Sequence, residues 1–171
     1  NNLQLIERNA RRLLNLVNQI LDFRKSQDGG MKLHVRKVQV EEQVREIVSS
    51  FDSLYRDKSI ELELYVLEPI APAFVDPEVL EKILLNVLSN AYKFTPNNGY
   101  VSVELRQTDG MLYVTLTNTG PGLSREELGR VFELFYQASN SSETTGSGIG
   151  LHLVKHLVEL HHGEVRLDSV P

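Results

Sequence analysis

The chain has no cysteine and no tryptophan, and only two methionines among its 171 residues. The lack of cysteine excludes a disulfide scaffold, a thiolate-ligated zinc site and a thiol nucleophile, and it fits a reducing compartment. Long apolar runs are also missing. Ile83-Leu84-Leu85 is broken by Asn86 and no run exceeds four residues, far short of the roughly 20 residues that cross a bilayer. No secretory signal is visible: the chain opens Asn1-Asn2 and soon carries Glu7, Arg8, Arg11 and Arg12. There is no excess of positive charge, since 18 Lys and Arg face 23 Asp and Glu for a net −5, which argues against nucleic acid as a partner. The chain does not begin with Met, which points to a portion of something longer. What remains, 41% hydrophobic and 24% charged residues, is the composition of a soluble globular domain.

Residues 1–25 read as one helix. Leu3, Ile6, Ala10, Leu13, Val17 and Ile20 recur at spacings 3-4-3-4-3, and Leu14, Leu16 and Leu21 widen the stripe to that of a bundle helix, which needs a partner to bury it. Ser26-Gln27-Asp28-Gly29-Gly30 is a linker. Alternation over Met31–Arg36 predicts a strand, and Val40 to Tyr55 carry a helical face. Ile60–Val66 alternate as a half-buried strand, and Glu68–Pro72 form a loop. Asp76-Pro77-Glu78 opens a helix with an N-cap, Pro at N1 and an acid in the first turn. Val101, Val103 and Leu105 mark a strand, Thr108-Asp109-Gly110 a hairpin turn, and Met111–Thr117 the returning strand. Ser124-Arg125-Glu126-Glu127 is a capping box. A helix follows Gly150 through His162, and Glu164–Asp168 read as a last strand. The order predicts an α+β sandwich with helices on one face of a largely antiparallel sheet.

Four local features carry chemistry. Asn86, Asn90 and Lys93 share one helical face. Amide oxygens suit a hard cation such as magnesium, and the lysine suits phosphate, although a solvated face has the same pattern. Asn118-Thr119-Gly120-Pro121-Gly122 follows a strand. Its glycines admit a flat ligand close to the backbone, and the Asn118 amide is placed to read a base edge; a plain strand-to-helix turn is the other reading. Phe132-Glu133-Leu134-Phe135-Tyr136 precedes a polar stretch, Ala138–Thr145. These aromatics read either as core or as the anchor of a lid. Gly146-Ser147-Gly148-Ile149-Gly150-Leu151 lead into a helix, whose first-turn N–H groups and dipole favour an anion. His152, His156 and His161 on that helix lack a zinc-binding His-Glu-x-x-His pattern and read as a surface helix.

Taken in this order the four features resemble the catalytic, ATP-binding domain of sensor histidine kinases, within the gyrase–chaperone–kinase–MutL ATPase superfamily. LLNVLSNAYKFT resembles its N box, NTGPG the first glycine box, FELFYQ the F box and GSGIGL the second glycine box. The wording of FYQ and LVKHLVELHHGE is most similar to hybrid two-component sensors. The resemblance implies a two-layer sandwich with a mixed sheet over residues 31–171, its last strand truncated. It implies that residues 1–25 are the second helix of the dimerisation and phosphotransfer hairpin, joined by the linker 26–30. The implied activity is transfer of the ATP γ-phosphoryl, with Mg2+, to a histidine on that hairpin, then to a response-regulator receiver domain. The implied parent is a homodimer whose cytoplasmic portion this is, anchored at the inner membrane.

By the same resemblance Asn90 is the magnesium-coordinating residue. Asn86 and Lys93 lie at the metal and phosphates, and Phe94 and Tyr136 lie beside the nucleotide. Asn118, Gly120 and Gly122 hold the base side, and Gly146, Gly148, Ile149, Gly150 and Leu151 hold the triphosphate. Topoisomerase-type relatives have a water-activating Glu at position 86, and an amide lacks that basicity. Two positions depart from the family. Asn118 stands where it usually has Asp, so Asn118→Asp is expected to tighten binding through a charge-assisted bond. Gln137 stands where many relatives have Arg or Lys, which would stabilise charge on the transferring group. None of the five histidines lies in residues 1–25, so the phosphoacceptor is absent. The alternative reading is a non-catalytic nucleotide-binding or docking module.

Overall fold

In a computed structural model, residues 32–138 and 146–170 are described, together with Ile6, Ala10, Leu13, Leu14, Val17, Asn18, Leu21 and Arg24. The linker 26–30, Met31 and all but the first residue of the polar stretch 138–145 lie outside the described residues. The eight described positions of the first segment are helical, and the apolar ones among them, from Ile6 to Leu21, are exposed.

Strand β1 (Arg36–Val38) pairs antiparallel with β3 (Ala73–Val75), Lys37 facing Phe74. A second sheet has the order β2 (Glu61–Val66), β4 (Tyr100–Thr108), β5 (Met111–Asn118). β2 runs parallel to β4, with Leu64 beside Val103, and β4 runs antiparallel to β5. The sheet is therefore mixed, as the family resemblance implies; period-2 alternation alone pointed to a largely antiparallel sheet because it reads the same in either direction. Asp109 and Gly110 both have positive φ, at 52° and 76°, the geometry of a two-residue type I′ hairpin. Helices α1 (Val40–Ser50), α2 (Asp52–Asp57), α3 (Pro77–Phe94), α4 (Arg125–Arg130) and α5 (Gly150–Leu160) complete the order. Among the described residues no helix is long and apolar enough to cross a membrane.

Two sequence-based strands are corrected. Residues 32–35 form no ladder, because the His34 N–H bonds the Asp76 carboxylate at 2.7 Å and Leu33 packs at the α3–α5 seam; the strand starts at Arg36. Glu164–Asp168 are not a strand either. Val165 and Leu167 are half-buried between exposed Glu164, Arg166 and Asp168, but no described strand offers its backbone to them. Alternation buries one face; a strand also needs a ladder.

α3 organises the interior through two adjacent stripes. Leu80, Leu84 and Leu88 join Val40, Val44, Ile47 and Val48 of α1 and Val103 and Leu105 of β4 in the main core. Ala91 extends that stripe into a second cluster with Tyr55, Ile60 and Val101, where the Tyr55 hydroxyl donates to the Leu88 carbonyl at 2.7 Å. Val79 and Ile83 instead meet Leu153, Leu157 and Leu160 of α5. Lys58 donates from its ammonium to the carbonyls of Tyr92 and Thr95 at 2.8 and 3.3 Å, placing a cation at the negative end of α3.

Asp76 fixes the other end. Its carboxylate, 4% exposed, accepts from the N–H groups of Glu78, Val79 and His34. Its own N–H donates to His161 Nε2 at 3.1 Å, and His161 Nδ1 lies 3.0 Å from the Leu157 carbonyl. A neutral ring with hydrogen on Nδ1 satisfies both contacts. Burial acts to raise the carboxyl's pKa. The N–H bonds from His34, Val79 and Glu78 outweigh burial and hold it below its usual value near 3.8.

Asp76→Ala is expected to cost about 2–3 kcal/mol in urea denaturation, a lost cap plus a stranded N–H at His34. Asp76→Asn keeps an acceptor but no charge. Because the native carboxyl titrates below its usual value, its ionic contribution is complete at neutral pH and drains as pH falls below about 4. The stability gap between wild type and Asp76→Asn should therefore narrow from pH 7 to about 3; a constant gap would contradict this assignment.

Candidate functional site

α3 and α5 run antiparallel, and that sets the site. Asp76 at the start of α3 meets His161 just past the end of α5, while Asn86 and Asn90 midway along α3 meet Gly150 at the start of α5. The stripe Val79, Ile83, Asn86, Asn90, Lys93 has spacings 4-3-4-3. It is apolar where α5 covers it and polar where α5 begins. A Cβ built on Gly150 would lie 3.0 Å from Asn86 Oδ1 and 3.9 Å from Asn90 Nδ2. A Cβ there would be tight against Asn86 and in ordinary contact with Asn90, so the helix starts close to both amides. The Asn86 Nδ2 donates to the Lys82 carbonyl at 2.8 Å, which leaves Oδ1 on the Gly150 side.

The first turn of α5 has no side-chain cap: Ile149 occupies the N-cap position. Ile149 itself is 1% exposed and its N–H donates to Ser147 Oγ at 3.3 Å, so its side chain anchors the turn in the core. The N–H groups of Gly150, Leu151 and His152 carry the positive end of the helix dipole. Lys93 adds an ammonium, 4.5 Å from the Phe94 ring centroid and against Gly146, where a Cβ would lie 2.5 Å from Nζ. Local groups thus build a positive pole within a chain of net charge −5.

Gly146 to Gly150 are held by the F-box segment. The Phe135 N–H donates to the Gly148 carbonyl at 3.0 Å. Gly148 has φ +69°, and a Cβ there would fall 2.5 Å from the Phe135 carbonyl carbon, so position 148 requires glycine on two counts. Phe135 also has positive φ, 65°, and is exposed. Tyr136 is half-buried under the Arg130 guanidinium, 4.5 Å from its centroid. Gln137 Nε2 donates to the Gly146 carbonyl at 2.8 Å.

The glycine turn after β5 closes against the end of α3. A Cβ on Gly120 would lie 3.1 Å from the Phe94 carbonyl oxygen and 3.4 Å from Asn118 Nδ2. Gly122 has φ +70°. Asn118 Nδ2 donates to Thr95 Oγ1 at 3.3 Å and to the Thr119 carbonyl at 3.0 Å. With both N–H hydrogens committed, the amide has its oxygen to offer a ligand. Buried Thr95 was invisible in the sequence, as were Gln137 and His161 in their observed roles, because each acts through a tertiary bond.

The histidines of α5 do not converge. His152 Nδ1 lies 2.8 Å from the Phe132 carbonyl, whereas His161 is bound at Asp76. A cavity of about 190 Å³ beside α5 is lined by Phe132, His152, Lys155, His156 and Glu159. No group of three metal-ligating side chains occurs among the described residues.

Residues 75–171 match the family described as histidine kinase-, DNA gyrase B-, and HSP90-like ATPase. The chain is 37% identical to the sensor histidine kinase TmoS of Ectopseudomonas mendocina, over 98% of this chain and 18% of TmoS. It superposes on full-length ShkA, crystallised in complex with AMPPNP, with a TM-score of 0.79 at 29% identity, covering 92% of this chain and 34% of ShkA. The histidine kinase ThkA, crystallised with the response regulator TrrA, shares the fold with a TM-score of 0.73 at 21% identity, over 96% of this chain and 47% of ThkA. The chain thus spans under a fifth of TmoS and about a third of ShkA. The family match begins at Val75, one residue before the Asp76 cap, and takes in α3, both glycine turns and α5: this chain belongs to the histidine kinase-, DNA gyrase B- and HSP90-like ATPase family.

Proposed function

We propose that residues 31–171 bind Mg·ATP and present its γ-phosphoryl to a histidine on the dimerisation hairpin of a sensor histidine kinase. The observation that carries this reading is the start of α5 at Gly150 beside the amides of Asn86 and Asn90, with Lys93 at Gly146. That arrangement puts backbone N–H donors, an ammonium and neutral oxygen ligands at one spot, the set a triphosphate with a divalent cation needs. Asn90 would hold Mg2+ together with phosphate oxygens, with Asn86 beside the ion and the phosphates, and the ion would neutralise charge on the phosphates. Lys93 and the first turn of α5 hold the phosphates. Phe94 and the Gly120 turn take the base side, where the Asn118 oxygen accepts from an adenine amino group. An amide at position 86 takes up no proton at neutral pH, so it does not activate water against the nucleotide.

Residues 1–25 supply the second hairpin helix in this reading. Supporting it, Ile6, Leu13, Leu14 and Leu21 are at least half exposed in the single chain, an apolar stripe that a homodimeric bundle would bury. The receiver domain of a response regulator is the proposed final acceptor, by analogy with the ThkA–TrrA pair. Anchoring of the parent at a membrane belongs to the same reading.

The direct test supplies this chain with Mg·ATP and a separate hairpin that carries the acceptor histidine. Phosphohistidine should form on the hairpin and fall at least about 100-fold in Asn90→Ala. A chain that binds no nucleotide at any magnesium concentration would defeat the proposal.

Asn118 gives a second test. Asn118→Ala should weaken ATP binding about tenfold and erode preference over GTP, both read by calorimetry. For Asn118→Asp the carboxylate gains a charge-assisted bond to adenine, about 1 kcal/mol more than the amide gives, so affinity should tighten about fivefold. The donor bonds to Thr95 and the Thr119 carbonyl that it loses are present without nucleotide, so their loss should read out in thermal stability instead.

A further inference from the structure

The F-box segment and the second glycine segment pair in antiparallel sense, through three bonds at successive steps. His152 Nδ1 meets the Phe132 carbonyl at 2.8 Å, the Phe135 N–H meets the Gly148 carbonyl at 3.0 Å, and Gln137 Nε2 meets the Gly146 carbonyl at 2.8 Å. The inner two are well supported: His152 lies in α5, and Gly148 is locked by its backbone geometry against Phe135. The outermost depends on one exposed side chain, Gln137.

That outermost bond falls on the residue least able to hold itself. The peptide unit after Gly146 turns through ψ of Gly146 and φ of Ser147; glycine leaves the first of these loosely set, so the unit can swing unless something pins it. Its position matters for charge. The planar trans peptide directs the Gly146 carbonyl and the Ser147 N–H to opposite sides. While Gln137 holds the carbonyl toward the F box, that oxygen cannot turn toward an anion beside Lys93. If the carbonyl were released, such a swing would bring an electron-rich oxygen toward the place where Lys93 Nζ and the α5 N-terminus gather positive charge.

We propose that Gln137 is a positioning residue for the triphosphate: its carboxamide pins the Gly146 carbonyl and so keeps the Gly146–Ser147 peptide oriented for phosphate beside Lys93. This role rests on the nucleotide-site reading above. It needs a donor of glutamine's reach and no positive charge, so it differs from what a guanidinium would do at this position by contacting the transferring group.

The test compares wild type with Gln137→Ala, Gln137→Asn and Gln137→Lys in this chain. Calorimetry reads affinity for AMPPNP with magnesium, NMR titration reads affinity for adenosine, and thermal melting checks the fold. Removing the pin should weaken AMPPNP about fivefold in Gln137→Ala, the effect of one neutral hydrogen bond. Gln137→Asn, one methylene too short, should behave the same way. Gln137→Lys keeps a donor of sufficient reach and should match wild type at high salt, where attraction through charge alone is screened; a fall to the Gln137→Ala level there would count against the pin. Adenosine affinity and melting temperature should be unchanged throughout, a split that general loosening of the fold does not give. AMPPNP affinity unaltered in Gln137→Ala, or equal losses for AMPPNP and adenosine, overturns the role of Gln137 and leaves the nucleotide site standing. Failure of the wild type to bind either ligand overturns both.

Discussion

The antiparallel packing of α3 on α5 is the constraint from which the rest of the structure follows, and the Asp76 carboxylate is its fixed point. One nearly buried side chain caps α3, holds the His34 N–H and, through its backbone N–H, secures the ring just past the end of α5. Burying an ionised carboxyl is costly unless donors replace water; here three N–H groups do so. With both helices tied at that end, Val79, Ile83, Leu153 and Leu157 set their spacing. The relative lengths of the helices then decide that α5 begins opposite Asn86 and Asn90.

The site is thus a by-product of a seam that stops being apolar. A single stripe on α3 buries hydrocarbon for two turns and then presents amides and an ammonium, with no change in helical geometry. The same residues that stabilise the fold aim the dipole of α5. A deletion of one residue within 79–86 would rotate the polar part by about 100° away from Gly150. Position along this stripe matters as much as residue identity.

The start of α3 was legible from the sequence because its signal is local: Asp-Pro-Glu, an N-cap with Pro at N1 and an acid in the first turn. The capping box of α4 and the Asp109-Gly110 hairpin were legible for the same reason. β3 was missed, since three residues after Pro72 hold too little alternation to register. The parallel sense of β2 and β4 was not readable, because alternation carries no direction. Glu164–Asp168 read as a strand from a pattern that reports burial, while its backbone pairing is a separate matter. In the site, the amides, Lys93 and the glycines stood out through residue type at short spacing. Their supports did not. The Asp76–His161 bond spans 85 residues and the Asn118–Thr95 bond 23, and neither leaves a local mark.

The supports also explain how a chain of net charge −5 can favour an anion at one place. At physiological ionic strength a charge is screened within about 8 Å, so distant carboxylates count for little beside groups in contact. At the site those groups are oriented N–H dipoles and one ammonium, and their value depends on direction as well as distance. Direction is what the surrounding bonds control. Asn86 is turned by the Lys82 carbonyl, Gly148 by Phe135, and Asn118 by Thr95 and Thr119. Each of these bonds contributes little to stability by itself. Together they turn the Gly148 carbonyl toward the F box and the amide oxygens of Asn86 and Asn118 toward the site, leaving the positive charge there to the N–H groups of α5 and Lys93, an arrangement that a flexible glycine-rich backbone would not maintain unaided.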